Sequence, residues 1–217
     1  MALAIFDLDN TLIDGDSDHR WGEFACAEGL VDRGQFGKDN DRFLKDYQAG
    51  TLDIDEYLNF ALTPIAGMST KAVAALQHRF LKDWAEAMIL PAAEALLEQH
   101  RARGDTLLII TATNTVVTQP IAKRLGVTNL IGCDVEVIDG HFTGRPRGIP
   151  SFREGKVTRL RQWLKDRRES LAGSTFYSDS HNDLPLLRKV DIPVAVDPDP
   201  KLEGTAKACG WRVISLR

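Results

Sequence analysis

The stretch Leu3-Ala4-Ile5-Phe6-Asp7-Leu8-Asp9-Asn10-Thr11 constrains this chain more than any other. An apolar run leads straight into two carboxylates spaced i, i+2, then a hydroxyl. Such a run reads as a buried strand, and side chains at i and i+2 leave a strand on one side. Asp7 and Asp9 are therefore expected to converge where the strand ends. In open α/β sheets, ligands sit beyond the carboxyl ends of the strands. Two acids placed there repel each other unless a cation lies between them or one keeps a proton. The competing reading is a strand followed by an Asp-rich turn, since Asp and Asn are strong turn formers.

Strand signals fall at 3–8, 106–111, 134–138 with 141–144, 174–178, 192–196 and 211–215, with helical signals between most of them. Pro91 and Gly104 bracket a helix over 92–103. Val157, Leu160 and Leu164 form a helical stripe behind Lys156. Leu125-Gly126 ends a helix containing Ile121, and Pro120 within it predicts a late start or a kink. Residues 135–138 and 141–143, joined by Asp139-Gly140, read as a hairpin with a type I′ turn. Strands alternating with helices imply right-handed crossovers and a parallel sheet. Residues 15 to 88 break that rhythm. Trp21/Phe24/Ala25, Phe43/Leu44/Tyr47, Ile54/Tyr57/Leu58 and Val73/Leu76/Phe80 all fit helical spacing. The expectation is a helical insertion after the first strand, its aromatics packing within it.

Composition narrows the function. At 217 residues and 43% hydrophobic, the chain can build a main domain plus a smaller one. A net charge of -4 gives no nucleic-acid footprint. Any anionic ligand must then be met by a metal or a few local Lys and Arg. Three cysteines, odd in number and with no CxxC, indicate neither a disulfide framework nor a zinc knuckle. A reduced, cytoplasmic setting is expected. The amino terminus has no basic n-region, so no signal peptide is read there, and apolar runs such as 107–110 are too short to span a membrane.

Three further strand ends offer chemistry. The run 107–110 opens onto Thr111-Ala112-Thr113-Asn114, where Thr111 suits a phosphate oxygen and Thr113 or Asn114 a helix N-cap. Gly155-Lys156 starts an amphipathic helix; a lone lysine is usually solvated surface, yet its point charge suits a phosphoryl oxygen. Asp179-Ser180-His181-Asn182-Asp183 ends another strand with two acids spaced i, i+4; either acid alone reads as a turn or cap residue. Carboxylate-rich, histidine-poor sets suit Mg²⁺ rather than zinc. The lysine is not in a Walker loop, because Pro150 and Val157 stand where Gly and Ser/Thr are needed. No GxGxxG or GxSxG is present, and His181 reads as a loop residue.

Taken together, Asp7-Leu8-Asp9-Asn10-Thr11, Thr111, Lys156 and Asp179-Ser180-His181-Asn182-Asp183 resemble the four ordered motifs of the haloacid dehalogenase superfamily. The long insertion is similar to the cap of its phosphoserine-phosphatase-like branch (subfamily IB), which also includes histidinol-phosphate phosphatases. The segments 110–114, 139–144 and 155–157 support that placement. Thr111 and Thr113-Asn114 depart from the Ser and glycine-rich turn usual in phosphoserine phosphatases. The resemblance implies an α/β, doubly wound, parallel-sheet Rossmann-like core over 1–14 and 89–217, with an all-helical cap over 15–88.

It further implies a Mg²⁺-dependent phosphomonoesterase acting on a small phosphate ester, histidinol phosphate or phosphoserine-like, through an aspartyl-phosphate. Asp7 would be the nucleophile and Asp9 the general acid and base. Asp7, Asp179 and the Asp9 backbone carbonyl would hold Mg²⁺, with Asp183 orienting the metal's water ligands. Thr111, Lys156 and Asn182 would bind phosphoryl oxygens. Asp16, Arg20 and Trp21, within the segment 14–21 that follows the first motif, are candidates for substrate choice: the acids of that segment (Asp14, Asp16, Asp18) for an amino group, the indole for a ring. The competing reading of that segment is a polar loop with Asp16 or Ser17 as N-cap. Other readings of the whole chain are phosphotransfer to an acceptor other than water, a phospho-accepting regulatory module, and a catalytically dead scaffold. The strand order disfavours the regulatory module, and the intact Asp7, Asp9, Lys156, Asp179 and Asp183 disfavour the scaffold.

Overall fold

The structure, a computed structural model, describes residues 2–217. β1 (Leu3–Phe6) lies between β2 (Thr106–Asn114) and β5 (Thr175–Ser178), parallel to both. β3 (Asn129–Ile138) joins β2 in parallel, while β6 (Ile192–Val196) and β7 (Arg212–Ile214) extend the other side. β4 (His141–Arg147) closes the first edge antiparallel to β3, giving the order β4-β3-β2-β1-β5-β6-β7.

Alternation along the strands divides the core into two layers. Ala4, Phe6, Leu107 and Ile109 pack with α5 (Pro91–Ala102) and α6 (Thr115–Arg124). Leu3, Ile5, Leu108 and Ile110 pack on the opposite face with α7 (Glu154–Arg167), α8 (Leu184–Leu187) and α9 (Pro200–Cys209). Strands covered on both faces must be apolar throughout, which is why these runs are unbroken in the sequence. The fold is the doubly wound α/β class expected from the alternation.

Between β1 and α5 the chain forms α1 (Ser17–Ala27), α2 (Arg33–Ala49), α3 (Ile54–Ala61) and α4 (Thr70–Phe80). Asp16, Asp32, Asp53 and Ser69 cap them, each side chain accepting from a first-turn backbone N–H. Trp21, Phe24, Val73, Leu76 and Phe80, from α1 and α4, belong to the same apolar cluster as one face of the sheet. Phe43 of α2 and Leu52, just before α3, instead form a separate cluster with Phe152.

Several boundaries differ from expectation. β1 stops at Phe6 because the Leu8 carbonyl accepts from Leu12 N at 2.8 Å and turns the chain. β3 begins at Asn129 rather than 134; only Leu130 and Ile131 are apolar between Asn129 and Gly132, too short a run to read as strand. α6 starts at Thr115, so no late start occurs ahead of Pro120. Proline has no N–H for the Val116 carbonyl one turn back, and Gln77 of α4 supplies one through Nε2 at 2.7 Å. The β3–β4 hairpin forms as read, with Asp139 at φ 50° and Gly140 at φ 76°, both positive as a type I′ turn requires. Among the described residues, no helix is long and apolar enough to cross a membrane.

Candidate active site

The chain reverses just past β1, so Asp7 sits at the carboxyl end of the central strand, its N–H still bonded to Tyr177 O at 2.9 Å. Lys156, in the first turn of α7, reaches it from the opposite layer. Its ammonium donates to Asp7 Oδ1 at 2.9 Å and to Asp183 at 2.7 and 2.8 Å. Lys156 is 1% exposed and Asp7 3%, so this is a buried ion network, not a surface pair. Gly155 makes the approach possible: a Cβ there would stand 2.0 Å from Pro150 O. Burial pushes the Asp7 carboxyl up to about 7, against the pull of Lys156 and with the Asp183 charge adding to the rise. Burial alone would lower the Lys156 ammonium, but Asp183 and Asp7 outweigh it and hold it above its usual value. Asp183 also accepts from Ser178 Oγ at 2.7 Å, so its oxygens serve Lys156 and Ser178 directly.

Asp9 lines the same cavity as Asp7 but has different partners. Its Oδ1 accepts from Ser17 N at 2.6 Å, and its Oδ2 from Thr113 Oγ1 at 2.8 Å and Thr111 Oγ1 at 3.4 Å. Thr113, read from sequence as a possible cap, is thus the closer hydroxyl. Asn114 caps α6 instead, accepting from Val116 N and Val117 N. Asp179 accepts from Thr11 Oγ1 at 3.2 Å.

Asn182, next to Asp183 in the chain, is buried and its amide is already engaged. Nδ2 donates to Tyr47 O at 3.1 Å, and Oδ1 accepts from Arg153 Nε and Nη2 at 3.1 and 3.0 Å. Arg153 Nη2 also donates to Gly50 O at 2.6 Å, and Lys201 Nζ to Ala49 O at 2.9 Å. The C-terminal carbonyls of α2 are therefore tied to Arg153 just before α7, to Asn182 beside Asp183, and to Lys201 in the first turn of α9. Gly50, at φ 77°, is required where it is, since a Cβ would lie 2.5 Å from His181 Nε2. No sequence signal pointed to Arg153, which adopts φ 49° immediately before α7.

Over Asp7 and Asp9 the cavity is roofed by Phe43, Leu44 and Tyr47 of α2 and Tyr57 of α3. Asp16 caps α1 through His19 N at 2.8 Å and also lines the cavity. The other two specificity candidates are placed elsewhere. Arg20 is exposed and pairs with Glu23 at 2.8 Å, one helical face away from the cavity. Trp21 is buried against Phe24 and Phe80, ring centroids 5.3 and 5.1 Å away, because its position falls on the apolar stripe of α1. Asp18, one of the acids of 14–18 read from sequence as a partner for an amino group, lines this wall and is held by the cap residue Asn114, whose Nδ2 donates to its Oδ1 at 3.0 Å, while Tyr57 carried no sequence signal beyond helical spacing.

The carboxylate set suits a hard divalent cation. Burial, then the Asp7 and Asp183 charges, push the Asp179 carboxyl well above its usual range, and Lys156 reaches Asp7 and Asp183 but not Asp179. Ionising Asp7 and Asp179 together therefore calls for a further positive charge beside them. Among the described residues no three His, Cys, Asp or Glu side chains form a ready cage. Mg²⁺ does not need one, since it commonly takes one or two carboxylates and completes its shell with water and substrate phosphate.

Comparison with known proteins agrees with this geometry. A family model described as haloacid dehalogenase-like hydrolase matches residues 4–188. A histidinol-phosphatase of Neisseria meningitidis serogroup C is 47% identical over 219 residues, covering 99% of this chain and 99% of that protein. A phosphoserine phosphatase of Mycobacterium tuberculosis is 32% identical over 229 residues, covering 100% of this chain and 71% of its own length. Among solved structures, a Bordetella pertussis protein of unknown function superposes with TM-score 0.93 at 41% identity, covering 100% of this chain and 99% of that one. A phosphoserine phosphatase captured as a phospho-aspartyl intermediate analogue shares the fold, with TM-score 0.72 at 17% identity, covering 100% and 93%.

Proposed function

The chain belongs to the haloacid dehalogenase-like hydrolase family, in its phosphoserine-phosphatase-like branch, and from that premise we propose a Mg²⁺-dependent hydrolysis through an aspartyl-phosphate on Asp7. At the coarser level it is a phosphoric monoester hydrolase. The observation that carries the finer reading is the Lys156 ammonium bridging Asp7 and Asp183 at the end of the central strand, next to Asp9 and Thr111.

Asp7 Oδ attacks phosphorus as the bond to the ester oxygen breaks, and Asp9 gives its proton to the departing alkoxide. A water then attacks the phosphorus of the aspartyl-phosphate, losing its proton to Asp9. Inorganic phosphate leaves and Asp7 is regenerated. Both steps place charge on non-bridging oxygens, so positioned donors provide most of the stabilisation. Lys156 supplies one, and Thr111 another once its hydroxyl turns from Asp9. Asn182 joins them only by exchanging the Tyr47 carbonyl for a phosphoryl oxygen. Asp183 fixes the ammonium. Asp7, Asp179 and the Asp9 carbonyl would hold the metal ion, which offsets phosphoryl charge and keeps Asp7 ionised.

The reading includes a division into a catalytic core, 1–14 and 89–217, and a helical cap, 15–88, whose α2 and α3 roof the cavity. It also includes a cytoplasmic setting, in keeping with three free cysteines. The substrate is a small phosphorylated metabolite, with histidinol phosphate favoured by the Neisseria relative. A phosphate-release screen over small esters, histidinol phosphate and phosphoserine among them, tests it. Turnover should fall about 10³-fold or more in Asp7→Asn, the scale on which losing a nucleophile acts. Near wild-type release by that variant would remove Asp7 from the role.

A further inference from the structure

Arg153 holds a backbone conformation that its residue type resists. It stands at φ 49° and ψ -120°. The Phe152 carbonyl accepts from Gly155 N at 2.8 Å, so Arg153 takes the first central place of a type II′ turn, where glycine is favoured. Strain of that kind persists only where surrounding contacts over-determine it, and it gathers at functional sites. The side chain shows what holds it. Nη2 gives one hydrogen to Gly50 O at 2.6 Å and the other to Asn182 Oδ1 at 3.0 Å, and Nε gives its own to the same Oδ1 at 3.1 Å. The buried Phe152 ring lies under the guanidinium, its centroid 4.8 Å from Cζ. Arg153 and Lys156, at the start of α7, thus engage the neighbouring residues Asn182 and Asp183.

Two donors on Oδ1 decide which end of the Asn182 amide can be offered to a ligand. A phosphoryl oxygen is an acceptor and needs Nδ2. A flipped amide would set Nδ2 against the Arg153 N–H groups and Oδ1 against the Tyr47 carbonyl, losing the hydrogen bonds at both ends. When Nδ2 leaves Tyr47 O, the end of α2 keeps its bonds from Arg153 to Gly50 O and from Lys201 to Ala49 O. Asn182 therefore changes partner without releasing the roof. We propose that Arg153 is a positioning residue for phosphoryl transfer, its guanidinium holding the Asn182 amide so that the donor end turns to a phosphoryl oxygen. A glycine at 153 would relieve the backbone strain but could place no guanidinium there. The proposal deepens the phosphomonoesterase reading and rests on it for the role of Asn182.

Substitution separates the amide from the roof. Arg153→Gly removes the guanidinium and leaves a residue that suits the turn. With p-nitrophenyl phosphate as substrate, its kcat/KM should fall about tenfold, chiefly through KM, and the Ki of inorganic phosphate should rise about tenfold, the scale of one charge-assisted hydrogen bond. In an Asn182→Ala background the same change should lower kcat/KM less than about twofold, because no amide is left to orient. Lys201→Ala loosens the same end of α2 without touching Asn182, and should also lower it less than about twofold. Equal losses from Arg153→Gly in both backgrounds, a loss of the same size in Lys201→Ala, or no loss in Arg153→Gly overturns the proposal. If Arg153→Gly does not fold, Arg153→Lys is measured in its place with the same expectations, since an ammonium keeps the charge but not the paired N–H groups. If the wild-type protein hydrolyses no ester, the phosphatase reading fails, and calorimetric titration of inorganic phosphate in the presence of Mg²⁺ decides the positioning role by itself. Binding weakened by Arg153→Gly only where Asn182 is present keeps the role; binding that is unweakened or undetectable overturns it.

Discussion

Lys156 carries a different meaning in the chain from the one its side chain has in the fold. A lysine behind a glycine at a helix start is ordinarily solvated, but here the ammonium is 1% exposed between two carboxylates. Removing one partner of a buried ion pair costs far more than the pair itself contributes. Lys156→Met should therefore destabilise by about 3–5 kcal/mol in urea unfolding, because Asp7 and Asp183 lose the cation they share. Acidification should restore part of the loss by protonating Asp7, whose carboxyl burial already raises; a variant as stable as wild type at neutral pH would show that the network contributes little. The same contrast separates Asp16 from its neighbours. Its type and place made it a candidate, and so did those of Arg20 and Trp21, but helical phase sends the latter two to solvent and to the apolar core.

At the level of elements, two polar contacts add to the apolar packing that joins the helices between β1 and α5 to the sheet domain. One is the Gln77 amide, which satisfies the Val116 carbonyl stranded by Pro120. Gln77→Ala should cost about 1 kcal/mol by urea denaturation, and most of that cost should vanish in a Pro120→Ala background, where the new N–H serves the same carbonyl. Equal costs in both backgrounds would show that the amide does not substitute for the missing donor. The other contact is the tie between the end of α2 and Arg153, Asn182 and Lys201. It explains how a helix with no share in the main apolar cluster is held over the cavity. Elements themselves were mostly legible, since period-2 and period-3.6 patterns reflect which face each buries. Boundaries were less so: β1 ends where Leu8 begins to accept turn hydrogen bonds, a choice made by the backbone rather than by side-chain polarity.

For the whole molecule, buried acids dominate the response to pH. Asp7 rises to about 7, Asp16 to about 6, and Asp18 and Asp179 rise well above their usual range, each chiefly through burial. A carboxyl with a raised folded value keeps a proton that the unfolded chain releases, so its contribution is full at low pH and is lost as pH rises through the folded value. The metal-free protein should therefore lose thermal stability between about pH 4 and pH 7, by roughly 2–4 °C in Tm for each kcal/mol. Asp105, Asp197 and Asp199 are lowered and act oppositely, but only in the window below the ordinary carboxylate value. Mg²⁺ binding to the folded form should raise Tm more at pH 7.5 than at pH 5, since it competes with the same protons. Excess EDTA should stop phosphate release, and turnover that persists in it would refute the metal requirement. A Tm that climbs steadily from pH 4 to 7 without metal would contradict the buried-acid account.

The sequence by itself determined the sheet class and the order of the chemistry-bearing strand ends, because apolar runs and their polar termini are local patterns. Asp7, Thr111, Lys156 and Asp179 could be named from spacing and from the family they resemble. Which neighbours each would meet was decided only by tertiary structure. Thr113 rather than Thr111 lies closest to Asp9, Asn182 bonds the end of α2, and Asp18 is left with an unpartnered oxygen. Those outcomes depend on contacts between segments as much as 135 residues apart, as for Asn182 and Tyr47, and on how far burial strips water from each acid. Neither quantity is written in the local order of residues.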